Sequence, residues 1–347
     1  MPASEATKAR VLRALMSLPR PVQSALAGKQ IRIDGQGLAP ETQMMLRLQR
    51  ILREPAAEDF PWAKAREVLA MNSRLVGGRQ PIGSTRDFEI DGPGGPISLR
   101  LYTPTSRLRD DAVPTLLFIH GGGMVYGGGH ATHDAAVRFL AETSGVQVLS
   151  VDYRLAPEHP YPAGLEDCKA AYSWLAANPG AVNADIDRLA VGGDSAGGYF
   201  SAVTAIYAAA NHLPMKFQLL IYPCTDFVGR SESRRKFGEG FFLTDKFMDQ
   251  AESAYVGDAD PHDPEISVLR RTEFPEGVAP AYLVTAGFDP LRDDGEAYAR
   301  LLAEHGVEVR QRRYESMIHG FFNMVAAGRE ARGYNVEIAQ ELRRALG

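Results

Sequence analysis

From residue 115 onward, short apolar segments alternate with longer amphipathic ones, and this alternation constrains the fold more than any other feature of the chain. Short apolar runs bounded by turn residues are typical of buried strands, and the longer segments between them are typical of helices. Strands are predicted at 115–119, 146–151, 188–192, 217–222, 281–286 and 307–313, and helices at about 132–143, 164–177, 196–210 and 293–304. This order predicts an α/β protein with a mostly parallel central sheet covered by helices on both faces. Active sites of such sheets lie at the carboxyl ends of the strands.

The first 80 residues follow a different pattern. Segments 42–52 and 62–76 place apolar residues three and four positions apart, which predicts amphipathic helices, and residues of about 5–28 are interpreted in the same way. Period-two alternation on either side of the turn Gly-Pro-Gly-Gly-Pro at 92–96 then predicts a β-hairpin. Between about 225 and 272 the chain is loop-rich and helical. Together with the N-terminal helices this insertion is predicted to cover the strand ends as a cap, with a peripheral decoration as the alternative.

Composition and charge exclude several classes of function. The formal net charge of −5 gives no reason to expect a nucleic acid or an anionic membrane as partner. No apolar run approaches the ~20 residues that span a bilayer, so no stable membrane insertion is expected. The two cysteines, Cys168 and Cys224, are predicted to be buried reduced thiols rather than a disulfide framework. Arg13 and Arg20 interrupt the apolar stretch near the N-terminus, and a cytoplasmic location is therefore expected.

The sequence Gly-Asp-Ser-Ala-Gly at 193–197 fits the pattern G-x-S-x-G. It follows a predicted strand and precedes an alanine-rich predicted helix, which is the context that the pattern requires. The turn is so tight that the serine backbone is strained and only small neighbours avoid a collision. It holds the Ser195 hydroxyl at the start of a helix, where the positive helix end favours developing negative charge. Ser195 is therefore the candidate nucleophile.

A second glycine-rich loop, His-Gly-Gly-Gly at 120–123, directly follows the predicted strand 115–119. Acyl transfer places negative charge on a carbonyl oxygen, and glycines allow backbone N–H groups to reach that oxygen. The N–H groups of Gly122 and Gly123, together with that of Ala196, are the candidate donors. A plain glycine turn is the alternative, whereas a phosphate-binding loop is excluded because no lysine follows. His120 is predicted to fix the loop rather than to act as a base.

The acid and the base are expected after Ser195, in the order Asp or Glu and then His. Asp289 follows the predicted strand 281–286 and could orient an imidazole. His319 follows the last predicted strand, which makes it the candidate base. The remaining candidates fit other positions: His212 follows a helix, His262 lies in the irregular insertion, His305 lies at a helix end, and Asp293 and Asp294 fit a helix N-terminus.

These segments together resemble the bacterial hormone-sensitive-lipase-like esterases, also called family IV. The matching segments are His-Gly-Gly-Gly at 120–123, Ser-Val-Asp-Tyr-Arg-Leu-Ala-Pro-Glu-His at 150–159, Gly-Asp-Ser-Ala-Gly-Gly at 193–198, Asp-Pro-Leu-Arg-Asp at 289–293 and His-Gly-Phe at 319–321. The similarity covers roughly residues 85–345 in matching order. It departs from the family at Met124, where an aromatic residue is frequent, and at Tyr199, where an asparagine is frequent.

The resemblance implies an α/β-hydrolase fold with a helical cap. Residues 1–80 would then be an N-terminal helical cap segment, and residues 81–347 the catalytic domain with a cap insertion at about 225–272. It implies hydrolysis of short- to medium-chain acyl esters, a small-molecule ester substrate, and no cofactor or metal. Homodimers are frequent among the enzymes that the chain resembles. It supports Ser195, Asp289 and His319 as the triad, whereas Asp152 and Glu158 would belong to the hydrogen-bonded network under the site.

Five aromatic residues are candidates for an apolar substrate pocket: Tyr126, Tyr199, Phe241, Phe242 and Phe322. Plain core packing is the alternative for each of them. Three rival functions use the same fold, namely a non-catalytic ligand receptor, an amidase or peptidase with the same triad, and a lipase acting at lipid surfaces. The presence of His319 argues against the receptor, because receptors that resemble this family lack the base.

Overall fold

A central sheet and its covering helices account for most of the computed structural model, which describes residues 7, 11–12, 14–52, 55–127 and 129–347. In chain order the strands are β1 (Arg32–Ile33), β2 (Gln36–Gly37), β3 (Ser84–Gly92), β4 (Gly95–Thr103), β5 (Val113–Ile119), β6 (Gln147–Asp152), β7 (Ala184–Asp194), β8 (Phe217–Ile221), β9 (Ala281–Phe288) and β10 (Val309–Ile318). The helices are α1 (Arg20–Ala27), α2 (Pro40–Leu52), α3 (Trp62–Gly77), α4 (Asp134–Ser144), α5 (Ala163–Ala177), α6 (Ala196–Ala210), α7 (Glu232–Phe237), α8 (Asp245–Val256), α9 (Arg292–Glu304) and α10 (Arg329–Leu346).

The main sheet has the strand order β10-β9-β8-β7-β5-β6-β4-β3. Strands β5 to β10 are parallel to one another, whereas β4 runs in the opposite direction and pairs antiparallel with both β6 and β3. The carboxyl ends of the parallel strands therefore share one edge of the sheet. This confirms the predicted fold class, an α/β sheet that is mostly parallel.

Helices cover both faces of this sheet. Alternate residues of β5 belong to opposite cores, with Leu117 and Ile119 on one face and Leu116 and Phe118 on the other. The first core is completed by α5, α6 and α9, and the second by α4 and α10. Because β5, β8 and β9 are covered on both sides, every residue in them is buried.

Every strand and helix predicted between residues 115 and 313 is present, with ends that differ by up to five residues. The largest difference is at β10, which continues to Ile318, so that His319 directly follows the strand. The hairpin and the predicted helices 42–52 and 62–76 are present as β3–β4, α2 and α3. The predicted helix at about 5–28 lies partly outside the described residues. In the described part, residues 7, 11–12 and 14–16 are helical, and α1 begins at Arg20, after Pro19.

The N-terminal segment and the insertion both lie at the carboxyl edge of the sheet. The backbone N–H of Ala39 donates to the carbonyl of Ser316, three residues before His319. Within the insertion, the buried Arg234 of α7 forms ion pairs with three acidic side chains of α8, those of Asp245, Asp249 and Glu252. Ser233 of α7 also donates its hydroxyl to the Pro290 carbonyl at 2.7 Å, which places the insertion against the loop after β9.

None of the helices among the described residues is long and apolar enough to cross a bilayer. Cys168 and Cys224 are free and buried, as predicted. Burial raises the pKa of both thiols well above the usual value.

Candidate active site

Ser195 lies in a strained turn between β7 and α6. Its backbone angles are φ 57° and ψ −120°, in a region that side chains rarely adopt. The turn is held by the Ser195 N–H, which donates to the Ile221 carbonyl at 2.8 Å. A Cβ at Gly193 or Gly197 would lie 2.1 or 1.9 Å from the Ile119 carbonyl oxygen. Only glycine at these two positions allows the elbow to sit this close to β5.

His319 and Asp289 are brought into line with the Ser195 hydroxyl. Nε2 of His319 is 2.9 Å from Ser195 Oγ, and Nδ1 is 2.8 Å from Asp289 Oδ2. The Asp289 side chain is fully buried, and its other oxygen accepts the N–H of Leu291 at 2.8 Å. The Tyr222 ring packs against the imidazole, with 4.5 Å between centroids. This is the geometry in which a carboxylate orients an imidazole and the imidazole can take a proton from a hydroxyl.

The candidate oxyanion donors lie in a tight turn. The carbonyl of Gly122 accepts the N–H groups of Val125 and Tyr126 at 3.2 and 2.7 Å, and Gly122 and Gly123 have φ of 124° and 62°. Within the described part of the chain, no backbone or side-chain acceptor binds the N–H groups of Gly122, Gly123 or Ala196. These three donors are therefore free to bind an oxygen that carries developing charge.

A buried carboxylate joins the oxyanion loop to the elbow. Asp194 Oδ1 accepts the N–H of Gly121 at 2.9 Å and lies 3.0 Å from Nε2 of His133, while the Tyr222 hydroxyl is 3.3 Å from Oδ2. Burial opposes ionisation of Asp194, but His133 and the Gly121 N–H together hold its pKa below the usual value. Sequence reasoning missed Asp194 and His133. The only sequence signal was the position of Asp194 inside the G-x-S-x-G pattern.

His120 fixes the start of the same loop, as predicted. Its Nδ1–H donates to the Gly121 carbonyl at 2.8 Å, and its ring stacks on Tyr153 at 4.3 Å between centroids. Burial and the neighbouring His133 lower the pKa of His120 to about 4. The imidazole therefore remains neutral at physiological pH.

Arg66 of α3 binds the far end of the oxyanion loop. Its Nε–H donates to the Val125 carbonyl at 2.8 Å, and Nη2 donates to the Ala156 carbonyl at 3.0 Å. Both terminal nitrogens also bind the Glu158 carboxylate, at 2.9 and 2.7 Å. One guanidinium thus connects the N-terminal helices, the oxyanion loop and the segment after β6. Nothing in the sequence indicated this contact.

The five predicted pocket residues fall into two groups. Tyr199, Phe241 and Phe322 are buried in the cores, where Phe322 stacks on Phe118 at 5.6 Å and the Tyr199 hydroxyl donates to the Glu265 carbonyl at 2.9 Å. The observed contacts of these three residues are those of core packing, which was the alternative to a role in the substrate pocket. Tyr126 is also buried, but it directly follows the oxyanion loop. Phe242 is 51% exposed, with its ring against Gly320, next to His319.

Asp293 and Asp294 occupy the first turn of α9, in agreement with their interpretation as helix N-terminal acids. Asp293 accepts the N–H of Ser233 at 2.8 Å. Burial and the nearby Asp226 raise the pKa of Asp294 to about 7. Within the described ranges, no group of three or more His, Cys, Asp or Glu side chains is arranged to hold a metal ion.

Comparison with known proteins identifies the family of the chain. A family model described as the alpha/beta hydrolase fold matches residues 116–323. The chain is 39% identical to the carboxylic ester hydrolase LipN of Mycobacterium tuberculosis, over 96% of this chain and 90% of that protein. It is 34% identical to an arylesterase of Saccharolobus solfataricus, over 73% of this chain and 81% of that protein.

Solved structures of esterases have the same fold as this chain. An ester hydrolase from the metagenome of Lake Arreo, in complex with a bipyridine phosphonate derivative, matches with a TM-score of 0.84 and 39% identity, covering 88% of this chain and 98% of that chain. A hyperthermophilic esterase of the archaeon Pyrobaculum calidifontis matches with a TM-score of 0.81 and 36% identity, covering 87% of this chain and 97% of that chain.

Proposed function

Because this chain belongs to the α/β hydrolase family, among the hormone-sensitive-lipase-like carboxylesterases, we propose that it hydrolyses short- to medium-chain acyl esters with Ser195, His319 and Asp289. The observation that carries the proposal is the continuous hydrogen-bonded chain from Asp289 through His319 to Ser195, with contacts of 2.8 and 2.9 Å. Further support comes from the N–H groups of Gly122, Gly123 and Ala196, for which the described residues supply no acceptor. Its ester-hydrolase relatives support the same reaction class.

In the proposed reaction, the Ser195 hydroxyl attacks the ester carbonyl while His319 takes its proton. The oxyanion of the tetrahedral intermediate binds the N–H groups of Gly122, Gly123 and Ala196. The alcohol leaves with the proton from His319, and an acyl-enzyme remains. Water, activated by the same imidazole, then releases the acid. Asp289 stabilises the imidazolium in both steps without being protonated.

We also propose that residues 1–80 and the insertion at about 225–272 form a cap over this site. Support comes from Tyr126, whose ring contacts Trp62 of α3 at 5.5 Å and Phe247 of α8 at 5.0 Å. A direct ion pair between Lys246 and Asp59, at 2.7 Å, joins the two parts of the proposed cap. Through Trp62 and Phe247, which contact Tyr126, the cap would exclude water from the oxyanion loop and bound the substrate pocket.

Phe242 and Tyr126 are the side chains we propose to contact the acyl or alcohol group of the substrate. Phe242 is exposed beside Gly320, and Tyr126 lies next to the oxyanion loop. Phe242→Ala should shift the chain-length optimum in a series of p-nitrophenyl esters. Ile186→Ala removes a similarly exposed apolar side chain at the start of β7 and should leave the profile unchanged. An unaltered profile in Phe242→Ala would remove this residue from the pocket.

A cytoplasmic location and a homodimer are part of the proposal. The dimer is supported by the edge position of β10, which pairs only with β9 in the main sheet and so offers a strand edge to a second copy. Light scattering would distinguish a dimer from a monomer.

The assignment is tested by turnover and by covalent labelling. Wild type should hydrolyse p-nitrophenyl butyrate and form a one-to-one adduct with an aryl phosphonate, detected by intact mass. Ser195→Ala should lose both, whereas Ser253→Ala, at an exposed serine of α8, should keep both. Parallel assays with an anilide and a long-chain triglyceride test the amidase and lipase alternatives. Labelling of Ser195→Ala, or faster turnover of the anilide than of the ester, would refute the proposal.

A further inference from the structure

Exposed apolar side chains are concentrated near the N-terminus. Among the described residues, eight large hydrophobic side chains are exposed, and five of these lie in residues 11–52. They are Val11, Val22, Leu26, Ile51 and Leu52, whereas Leu108, Ile186 and Phe242 are the other three. Single exposed apolar side chains are ordinary, but a cluster of them marks a surface that contacts a partner or a membrane.

Four of these side chains belong to adjoining parts of α1 and α2. Val22 and Leu26 are one helical turn apart on α1, on a different face from the buried Gln23 and Ala27. Arg47 of α2 donates to the Leu26 carbonyl at 3.2 Å, which fixes the end of α1 against α2. Ile51 follows Arg47 by one turn and Leu52 follows directly. We call the exposed side chains of α1, α2 and the segment between them the N-terminal surface.

The N-terminal surface is basic, although the whole chain is acidic. Residues 20–52 contain five lysines and arginines and two acidic residues, in a chain with a net charge of −5. Two acidic side chains are described in this segment, and both are occupied. Asp34 pairs with Lys236 and Arg292, and the buried Glu41 accepts the N–H groups at the start of α10.

The exposed cations of this surface are largely free to bind a partner. Lys29, Arg32 and Arg50 are exposed and form no ion pair within the described part of the chain. Arg20 is the exception, because it pairs with Glu330. The overall charge of the chain therefore conceals a surface of opposite sign.

We propose that the N-terminal surface docks the protein on an anionic lipid surface. Helices with aliphatic side chains between arginines and lysines lie in the interface plane of a membrane, where the aliphatic groups enter the acyl boundary and the cations bind headgroups. A second copy of the chain fits less well, since a symmetric contact would bring the same cations together. Binding of this kind is peripheral and inserts no helix across the bilayer.

The position of the surface gives docking a consequence for the site. Ala39, at the start of α2, is hydrogen-bonded to Ser316 near His319. The docked surface would therefore hold the carboxyl edge of the sheet near the lipid, where an apolar ester is concentrated. This consequence rests on the proposed esterase function. The docking itself does not, because it involves none of the proposed catalytic residues.

The test is co-sedimentation of the full-length Ser195→Ala protein with vesicles of phosphatidylcholine, with and without phosphatidylglycerol. Binding should require phosphatidylglycerol and weaken at high salt. The pairs Ile51→Ser/Leu52→Ser and Lys29→Glu/Arg50→Glu should each reduce the partition coefficient by about tenfold or more. Two matched pairs distant from the surface, Leu108→Ser/Ile186→Ser and Arg109→Glu/Arg300→Glu, should bind as well as the parent protein.

Several outcomes would overturn the proposal: absence of vesicle binding, equal binding to both vesicle types, or full binding by both surface variants. A protein dimer that is lost in Ile51→Ser/Leu52→Ser, without vesicle binding, would assign the surface to a second copy instead. Hydrolysis of soluble p-nitrophenyl acetate, measured in the same variants with Ser195 restored, should match wild type. That assay separates failure of docking from failure of the esterase assignment.

Discussion

Arg66→Met is expected to impair catalysis although Arg66 contacts none of the proposed catalytic residues. The substitution keeps most of the aliphatic stem but removes the donors that hold the Val125 and Ala156 carbonyls and the Glu158 carboxylate. Val125 lies two residues after Gly123. Loss of its anchor therefore loosens the end of the loop that carries two of the proposed oxyanion donors.

The size of the effect can be worked from these contacts. The Glu158 side chain is about half exposed, so its ion pair contributes only ~0–1 kcal/mol to stability. Each carbonyl left without a donor costs about 1–3 kcal/mol if it remains shielded. A total destabilisation of about 2–7 kcal/mol follows for the two carbonyls and the ion pair. Complete loss of one oxyanion donor lowers kcat by ~10²–10³. Since the Gly121 N–H still binds Asp194, we expect a smaller decrease of about tenfold.

Steady-state kinetics with a p-nitrophenyl ester would measure this as a fall in kcat with little change in KM. Arg66→Lys should recover only part of the activity, because an ammonium cannot bind two carbonyls and a carboxylate in fixed directions. Arg313→Met is the control, since it removes a paired contact with Glu296 in the body of the sheet. A folded Arg66→Met protein with wild-type kcat would refute the reasoning.

Three further predictions concern other parts of the molecule. Gly123→Ala should lower kcat by about tenfold or more, because a Cβ at φ 62° would meet the Phe247 ring at 2.8 Å; unchanged kcat would contradict this. Folding raises the pKa of Asp294 from 3.8 to about 7, so its contribution to stability falls as pH rises through that window. Asp294→Asn should therefore stabilise the protein more at pH 8 than at pH 4. In urea titrations, the gain in the free energy of unfolding over wild type should be larger at pH 8 by up to about 4 kcal/mol. Cys168 and Cys224 should react with a thiol reagent only after denaturation, and rapid reaction of the native protein would contradict their burial.

The strands and the proposed triad could be predicted because each depends on local sequence. Ser195, Asp289 and His319 each follow a short apolar run, and parallel topology brings the carboxyl ends of such runs to one edge. The required order along the chain, serine, then acid, then histidine, then left few candidates for the acid and the base. Thus the hydrogen-bonded line of three side chains was anticipated without knowledge of any distance.

The contacts of Arg66 could not be anticipated in this way. Its carboxylate partner, Glu158, is 92 positions away in the chain, and no periodicity connects two such residues. The sequence also did not predict which way the aromatic side chains point. Tyr199 lies one turn into α6, and whether it faces the substrate or the core depends on how that helix packs on Phe227 and Tyr255. An aromatic residue type predicts an apolar environment, but the packing of the helix decides whether that environment is the core or the substrate pocket.

The buried Asp194 carboxylate shows why these separate loops form one site. It stands next to the strained Ser195, yet it accepts the N–H of Gly121 from the loop after β5 and faces His133 at the start of α4. A buried charge is costly unless several donors surround it. Any movement that separates the elbow from the oxyanion loop would remove one of those donors. The same carboxylate that stabilises the elbow therefore fixes the distance between the Ser195 hydroxyl and the N–H groups proposed to receive the oxyanion.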